Sequence, residues 1–287
     1  MSNQEKEQYL REKYGDKLLS ISRLNSYNTC PQQYYQQYIM HNKSEPKVYG
    51  ILGSLVHDIM EKRYLGEMNL YQAIEEFAIG FNKGICQADF PSNKWSSSEE
   101  IGIKWWRNVL HFIQNHKVSK RTTRTEEICF YKTPSGLPIR GYIDLIIDDK
   151  SLVILDWKTS SKFTGDDLVK AGRQLVLYAK SYEQETGKKV DGVCWNMMKY
   201  CKATNNKTGR ENIVERRFCD DTHTFVKDHI LQYKVSDELV DELHEYIDGT
   251  VKAFTTDTEF KCMEDNDFFC HNLCGYKGTC PKFGGRK

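Results

Sequence analysis

The sequence predicts an α/β fold in which helices come first and a small mixed sheet follows. Three observations predict it. Helical signals dominate up to about His116, and strand-like apolar runs then take over at Thr125–Tyr131, Leu137–Ile147 and Leu152–Lys158. A helix from Asp166 to about Thr186 separates these from two further strand-like runs, Val190–Met198 and Ile213–Phe218. Helices flanking a sheet in the order β-β-β-α-β-β make an α/β layer arrangement with a helical N-terminal part.

Taken in order, Ser22 reads as a helix N-cap, and Cys30-Pro31 interrupts that helix before a second one running to about Met40. Gly50 to about Tyr64, Leu70–Cys86 and Glu99–His116 read as helices, with the loop Phe90-Pro91-Ser92-Asn93 between the last two. Acidic residues at the start of the Asp166 helix suit its N-terminus. A long amphipathic helix is expected over Asp221–Phe254, with a break near Val235-Ser236, and a cysteine-rich segment closes the chain. The reading is of one domain over 1–287: a helical part at 18–120, a sheet core at 121–220, and a helix with the cysteine segment at 221–287.

With 39% hydrophobic and 28% charged residues the composition is that of a globular chain, not a disordered one. A net charge of +1 provides no overall basic field, so any nucleic-acid surface has to arise from local charge segregation. No apolar run approaches the roughly 20 residues a membrane span needs. The polar start Met1-Ser2-Asn3-Gln4-Glu5-Lys6-Glu7 has no signal-peptide core, and a cytoplasmic location is expected.

The chemistry concentrates in Gly141-Tyr142-Ile143-Asp144 and Ile154-Leu155-Asp156-Trp157-Lys158-Thr159. In a strand Asp156 and Lys158 project to one face. The turn signal Asp148-Asp149-Lys150-Ser151 lies between the runs, and a hairpin centred on Lys150 sets Asp144 opposite Asp156. Two carboxylates so close need a positive partner, and a divalent cation with a neighbouring lysine suits phosphodiester cleavage. His57 lies on an expected helix, where a lone histidine is ordinarily structural. Gln174 and Tyr178 share one helix face four residues apart. Glu126 and Glu127 open the preceding strand, where a solvated edge is the expected reading and a further carboxylate the alternative. Lys117, Lys120, Arg121 and Arg124 form a basic connector that suits either phosphate contact or solvent. Trp105, Trp106, Tyr34 and Tyr35 are accounted for by core packing, with base stacking as the alternative.

Together these residues resemble the PD-(D/E)XK nuclease superfamily, and within it the RecB-type branch of helicase-linked and iron–sulfur-containing CRISPR-associated exonucleases. Its motifs occur here in order as Gly53…His57, Gly141…Asp144, Asp156-Trp157-Lys158 and Gln174…Tyr178, after an opening Ser22-Arg23-Leu24…Tyr27…Cys30-Pro31…Tyr35. The resemblance implies a restriction-endonuclease-like mixed sheet flanked by helices. It implies Mg²⁺ or Mn²⁺ held by His57, Asp144, Asp156 and the Trp157 carbonyl, with the imidazole favouring Mn²⁺. Lys158 then orients water or stabilises charge on the phosphate, and Gln174 and Tyr178 position the strand or a water. The implied activity is hydrolysis of DNA from an end of a single strand, in recombination, repair or replication, with helicase or integrase proteins as partners. The alternative is a catalytically silent DNA-binding or scaffold subunit of a helicase or CRISPR adaptation complex. No Gly-x-x-x-x-Gly-Lys-Ser/Thr loop occurs, which disfavours an ATP-driven enzyme.

Of ten cysteines, Cys86, Cys129, Cys194, Cys201, Cys219 and Cys262 are scattered. Cys270, Cys274 and Cys280 are clustered in a short segment that core packing does not explain, where metal ligation is considered first. By the resemblance these three join Cys30 around a [4Fe–4S] cluster. Their spacing, Cys-x3-Cys-x5-Cys, departs from the Cys-x2-Cys of many relatives. That leaves open a role for Cys262 or His271 in place of Cys270, or zinc at the site.

Overall fold

The structure, a computed structural model, describes residues 2–85, 90–119, 123–159, 163, 165–219, 221–264 and 267–285. Cys86, Lys120 and Arg121, singled out above, lie outside the described residues. The helices are α1 (Asn3–Tyr14), α2 (Ile21–Thr29), α3 (Pro31–Tyr34), α4 (Val48–Leu65), α5 (Leu70–Gly84), α6 (Ser98–Asn115), α7 (Asp166–Thr186), α8 (Asp237–Thr256) and α9 (Asp267–Asn272). The strands are β1 (Thr123–Lys132), β2 (Pro138–Asp148), β3 (Leu152–Lys158), β4 (Gly192–Asn205), β5 (Glu211–Glu215) and β6 (His223–Tyr233).

One mixed sheet holds all six strands, with β3 and β4 parallel and every other pair antiparallel. The parallel step follows from α7, which carries the chain back across one face between β3 and β4. Strand alternation sorts the side chains. Leu145, Leu155 and Trp157 join Leu52, Val56 and Phe112 of α4 and α6 in one core, while Ile146 and Ile154 join Leu175 and Ala179 of α7 in another. Beside α7, Leu24 of α2 and Leu243 and Ile247 of α8 pack on Ile139 and Val176.

Several expected elements are corrected. The helix expected over Asp221–Phe254 is a strand followed by a helix. His223–Tyr233 pairs along β4, whose outer edge needs a partner, and α8 begins only after its N-cap Ser236. The sheet therefore runs on to Tyr233. The first motif helix is capped by Ser20 and not Ser22: Leu19 is still bridged to Ile139, the chain turns helical at Ile21, and Ser20 accepts from the Arg23 N–H. The strand expected over Ile213–Phe218 ends at Glu215, and a 3-10 turn at Arg216–Phe218 sends Arg216 into the core. Helix α1 was not anticipated, although Ser2 and Glu5 form a reciprocal capping box.

Arg216 is fully buried, with ion-pair contact to Asp228 at 2.6 Å and its Nε donating to the Met198 carbonyl at 2.8 Å. His116 Nδ1 lies 2.6 Å from the other Asp228 oxygen, and Tyr64 contacts His116 Nε2 at 3.0 Å. The His116 and Tyr64 rings pack against Trp157, so this network seats β3 beside the site described below. Burial opposes the Asp228 charge, but His116 and Arg216 outweigh it and hold the carboxyl down at about 2. The group is depressed on folding, so its contribution is full above the ordinary value of 3.8 and is lost as pH falls through about 2. Asp228→Ala is expected to cost about 3–5 kcal/mol at neutral pH, because it leaves a buried guanidinium unpaired. Urea unfolding of the two proteins at neutral and acid pH checks this, the difference shrinking toward pH 2.

Candidate active site

The β2–β3 ladder pairs Asp148 with Leu152, Ile147 with Val153, Ile146 with Ile154 and Leu145 with Leu155. This register is centred on Lys150 and brings Asp144 and Asp156 into line one step beyond the last pair. Asp144 is 8% exposed and Asp156 1%. The Trp157 N–H donates to Asp144 Oδ2 at 2.7 Å, and Asp156 Oδ2 meets Lys158 Nζ at 2.8 Å as an ion pair without hydrogen-bond alignment. Lys158 Nζ also donates to Gln174 Oε1 at 3.1 Å, and Gln174 Nε2 donates to the Tyr178 hydroxyl at 2.6 Å. The four-residue spacing on α7 thus builds a chain from Asp156 through Lys158 and Gln174 to Tyr178.

From the helical side α4 brings His57, whose Nε2 lies 3.1 Å from the Trp157 carbonyl and whose Nδ1 is 3.6 Å from Asp144 Oδ2. Glu126 completes the group. Among the described residues His57, Glu126 and Asp144 are the set whose ligand atoms all lie within 4.8 Å of one another. The expectation of a solvated edge at Glu126 is thereby corrected. Glu126 faces Asp144 between the pairs Thr125–Leu145 and Glu127–Ile143, at a positive φ of 49°. Its backbone is clasped by Asn3 of α1, which donates to the Glu126 carbonyl at 2.9 Å and accepts from the Ile128 N–H at 3.0 Å. A non-glycine residue at such a φ persists when its surroundings over-determine it.

The electrostatics match a site built for a cation. Burial, then the charge of Asp156, lifts Asp144 well above the ordinary carboxylate range. Burial, then Glu61 and Asp156, lifts Glu126 to about 7. Burial keeps His57 toward its neutral, ligating form. Lys158 is penalised by burial, but the adjoining Asp156 carboxylate outweighs this and raises it, so it stays charged. Crowded carboxylates, a neutral imidazole and a backbone carbonyl are the donor set that hard or borderline divalent metals accept.

Gly141 has a defined steric role. A Cβ there would sit 2.7 Å from the Tyr178 ring and 3.3 Å from Cys129 Sγ. At Gly53, by contrast, the nearest atom is Thr159 Oγ1 at 3.8 Å, an ordinary contact. Gly141→Ala is expected to destabilise by about 1–3 kcal/mol and to displace Tyr178 from Gln174, while Gly53→Ala is tolerated. Denaturation curves and cleavage rates of the pair check this contrast.

The cysteines gather from both ends of the chain. Cys30 closes α2, Cys270 lies in α9, and both are buried, as is Cys274. Burial, then the fields of Cys30 and Cys270, raises the Cys274 thiol, and burial, then Cys262 and Cys30, raises Cys280 to about 11. Backbone bonds dock these segments: Gln32 N–H to the Lys261 carbonyl at 3.2 Å and Glu45 N–H to the Gly275 carbonyl at 2.8 Å. Cys262 and Cys280 are 3.6 Å apart, and no three of these sulfurs fall within 4.8 Å of one another among the described residues. Tetrahedral zinc would set its four sulfurs about 3.8 Å apart. Donor type and gathering fit a thiolate-bound group, and the spread is wider than a single zinc ion requires. Of the aromatics considered for stacking, Tyr34 is buried against Tyr27, Phe254 and Phe260, and Trp106 packs on Phe77 and Phe81. Arg124, expected in a basic connector, lies instead in β1 and bonds to the Tyr182 hydroxyl.

Sequence comparison agrees with this geometry. Residues 18–281 match the PD-(D/E)XK nuclease superfamily, and the chain belongs to that superfamily of metal-dependent nucleases. Among solved structures it is similar to a presumed exonuclease from Eubacterium rectale, at 14% identity over 93% of this chain and 92% of that one, with a TM-score of 0.51. It is also matched to SSO0001, at 14% identity over 88% and 94% of the two chains, with a TM-score of 0.33. The first likeness is one of fold, and the second carries no weight here. No curated protein matches the sequence. Among the described residues no helix is long and apolar enough to cross a membrane.

Proposed function

We propose that this nuclease hydrolyses DNA from the end of a single strand, with His57, Glu126, Asp144, Asp156 and the Trp157 carbonyl holding Mg²⁺ or Mn²⁺. The observation that carries the reading is the row of carboxylates from β1, β2 and β3 with Lys158 at its end. The metal, when bound, polarises the scissile phosphate and lowers the pKa of a water. Asp156 holds the Lys158 ammonium in place, and Gln174, itself bonded to Tyr178, fixes its second direction. So held, Lys158 stabilises negative charge growing on the phosphate. His57, kept neutral by burial, offers a ring nitrogen while bracing the Trp157 carbonyl.

Support for a single strand comes from the groove beside the end of β3. It measures about 570 Å³ and is lined by Thr159, Trp105, Lys104 and Lys199 and by Pro91, Ser92, Asn93 and Ser96 of the 91–96 turn. Trp95 in that turn is 83% exposed, with the Lys94 ammonium 5.0 Å from its ring centroid. An exposed indole at the edge of this groove, with one lysine beside it, is a stacking platform for an unpaired base, worth about 1–3 kcal/mol. Trp95→Ala is expected to weaken single-strand binding roughly 5- to 150-fold on that basis and to change duplex binding little, as measured by fluorescence anisotropy. The exonuclease reading is supported by the description of the Eubacterium rectale protein. The four thiolates Cys30, Cys270, Cys274 and Cys280 would hold a [4Fe–4S] cluster that joins the two chain ends. Incubating linear and circular single-stranded DNA with the protein and Mn²⁺ tests the activity. Loss of the linear form alone is expected, and equal cleavage of the circle would make the enzyme an endonuclease.

A further inference from the structure

Outside the nuclease site and the cysteine tail, the sulfurs of Cys201 and Cys219 lie 3.2 Å apart. Cys201 sits on β4, paired with Val214 of β5 and Asp228 of β6, and is fully buried. Cys219 follows the Arg216–Phe218 turn and is partly exposed. The contact is held from both sides. Arg216 anchors the turn to Met198 and Asp228, the Arg217 N–H donates to Asn108 Oδ1 at 2.8 Å, and the Cys219 N–H donates to the Arg216 carbonyl at 2.9 Å. The hydrogen-bond contact with Cys201, with His111 and Arg216 acting against burial, holds Cys219 below the ordinary thiol range. The same hydrogen bond, with burial, keeps Cys201 protonated.

We propose that Cys201 and Cys219 form a reversible thiol–disulfide couple, closed by a low-molecular-weight disulfide such as oxidised glutathione. One partner is accessible and nucleophilic, and the other is buried and within reach as the resolving thiol, the division of labour that redox-responsive cysteine pairs require. The Cys219 thiolate attacks one sulfur of the reagent, forming a mixed disulfide and expelling one small thiolate. Cys201 then gives up its proton to solvent and attacks the Cys219 sulfur, and the second small thiolate leaves. The protein pair loses two electrons and the single Cys201 proton, and the two small thiolates take up protons from solvent to become two thiols. The sulfurs need to close from 3.2 Å to the disulfide length of about 2.05 Å. The bond would tie β4 covalently to the turn that carries Arg216, and so to the network seating Trp157.

The test uses the full chain, purified reduced under anaerobic conditions, treated with oxidised glutathione, alkylated, and digested with trypsin without reductant. Mass spectrometry is expected to find the Cys201 peptide joined to the Cys219 peptide. Cys201→Ser is expected to retain one glutathione on Cys219, and Cys219→Ser to leave Cys201 unmodified. Glutathione persisting on Cys219 of the unsubstituted protein overturns the proposal. So does recovery of both cysteines alkylated, or attack at Cys201 when Cys219 is absent. None of these outcomes depends on DNA cleavage, so the couple and the nuclease reading stand or fall separately.

Discussion

Lys158→Ala is expected to slow DNA cleavage by about a hundredfold to a thousandfold, the loss typical of removing one preorganised charge-stabilising group. DNA affinity and the cysteine site should be unchanged, because Lys158 contacts neither the 570 Å³ groove nor the cysteine segments. The effect is large because the ammonium is positioned before substrate arrives: Asp156 lies 2.8 Å from it and Gln174 3.1 Å. Single-turnover cleavage of end-labelled DNA in Mn²⁺ measures this. A rate equal to that of the parent protein would refute the catalytic role of Lys158.

Cys274→Ala is expected to yield colourless, poorly soluble protein. The proposed cluster would join Cys30 to Cys270 and close a loop of about 240 residues, worth about 5–6 kcal/mol from chain entropy alone. That is a large share of the roughly 5–15 kcal/mol that stabilises a typical domain. Apart from the sulfurs, the tail is attached through short helical turns and a few backbone bonds, such as Glu45 N–H to the Gly275 carbonyl. The absorption spectrum and iron content of anaerobically purified protein check the expectation. Soluble, brown, active Cys274→Ala would remove Cys274 from the ligand set.

Sequence patterns proved informative where partners are close along the chain. The β2–β3 register follows from the position of the turn, since residues equidistant from Lys150 pair. The same construction around Pro134-Ser135-Gly136 sets Glu126 opposite Asp144, and that signal was available in the sequence. The pair Glu126-Glu127 nevertheless looks solvated, because nothing local reveals that Asn3 and Lys6 of α1 lie along this edge. Long-range partners account for the other differences. His223–Tyr233 has helix-compatible spacing but is drawn into the sheet by the open edge of β4. Arg216 looks like a surface charge until Asp228 and His116 meet it in the core. Cys201 and Cys219 are 18 residues apart with no motif between them, and only the turn after β5 brings their sulfurs together.

On the proposed mechanism, the carboxylate row with His57 holds the metal that drives cleavage. The most direct measurement is the cleavage of end-labelled single-stranded DNA by the parent protein and by Asp144→Asn, each with Mn²⁺ and with EDTA. Shortening of the strand is expected with the parent protein in Mn²⁺ alone, and none with Asp144→Asn in either condition. Cleavage that persists in EDTA, or that Asp144→Asn retains in Mn²⁺, would contradict that mechanism.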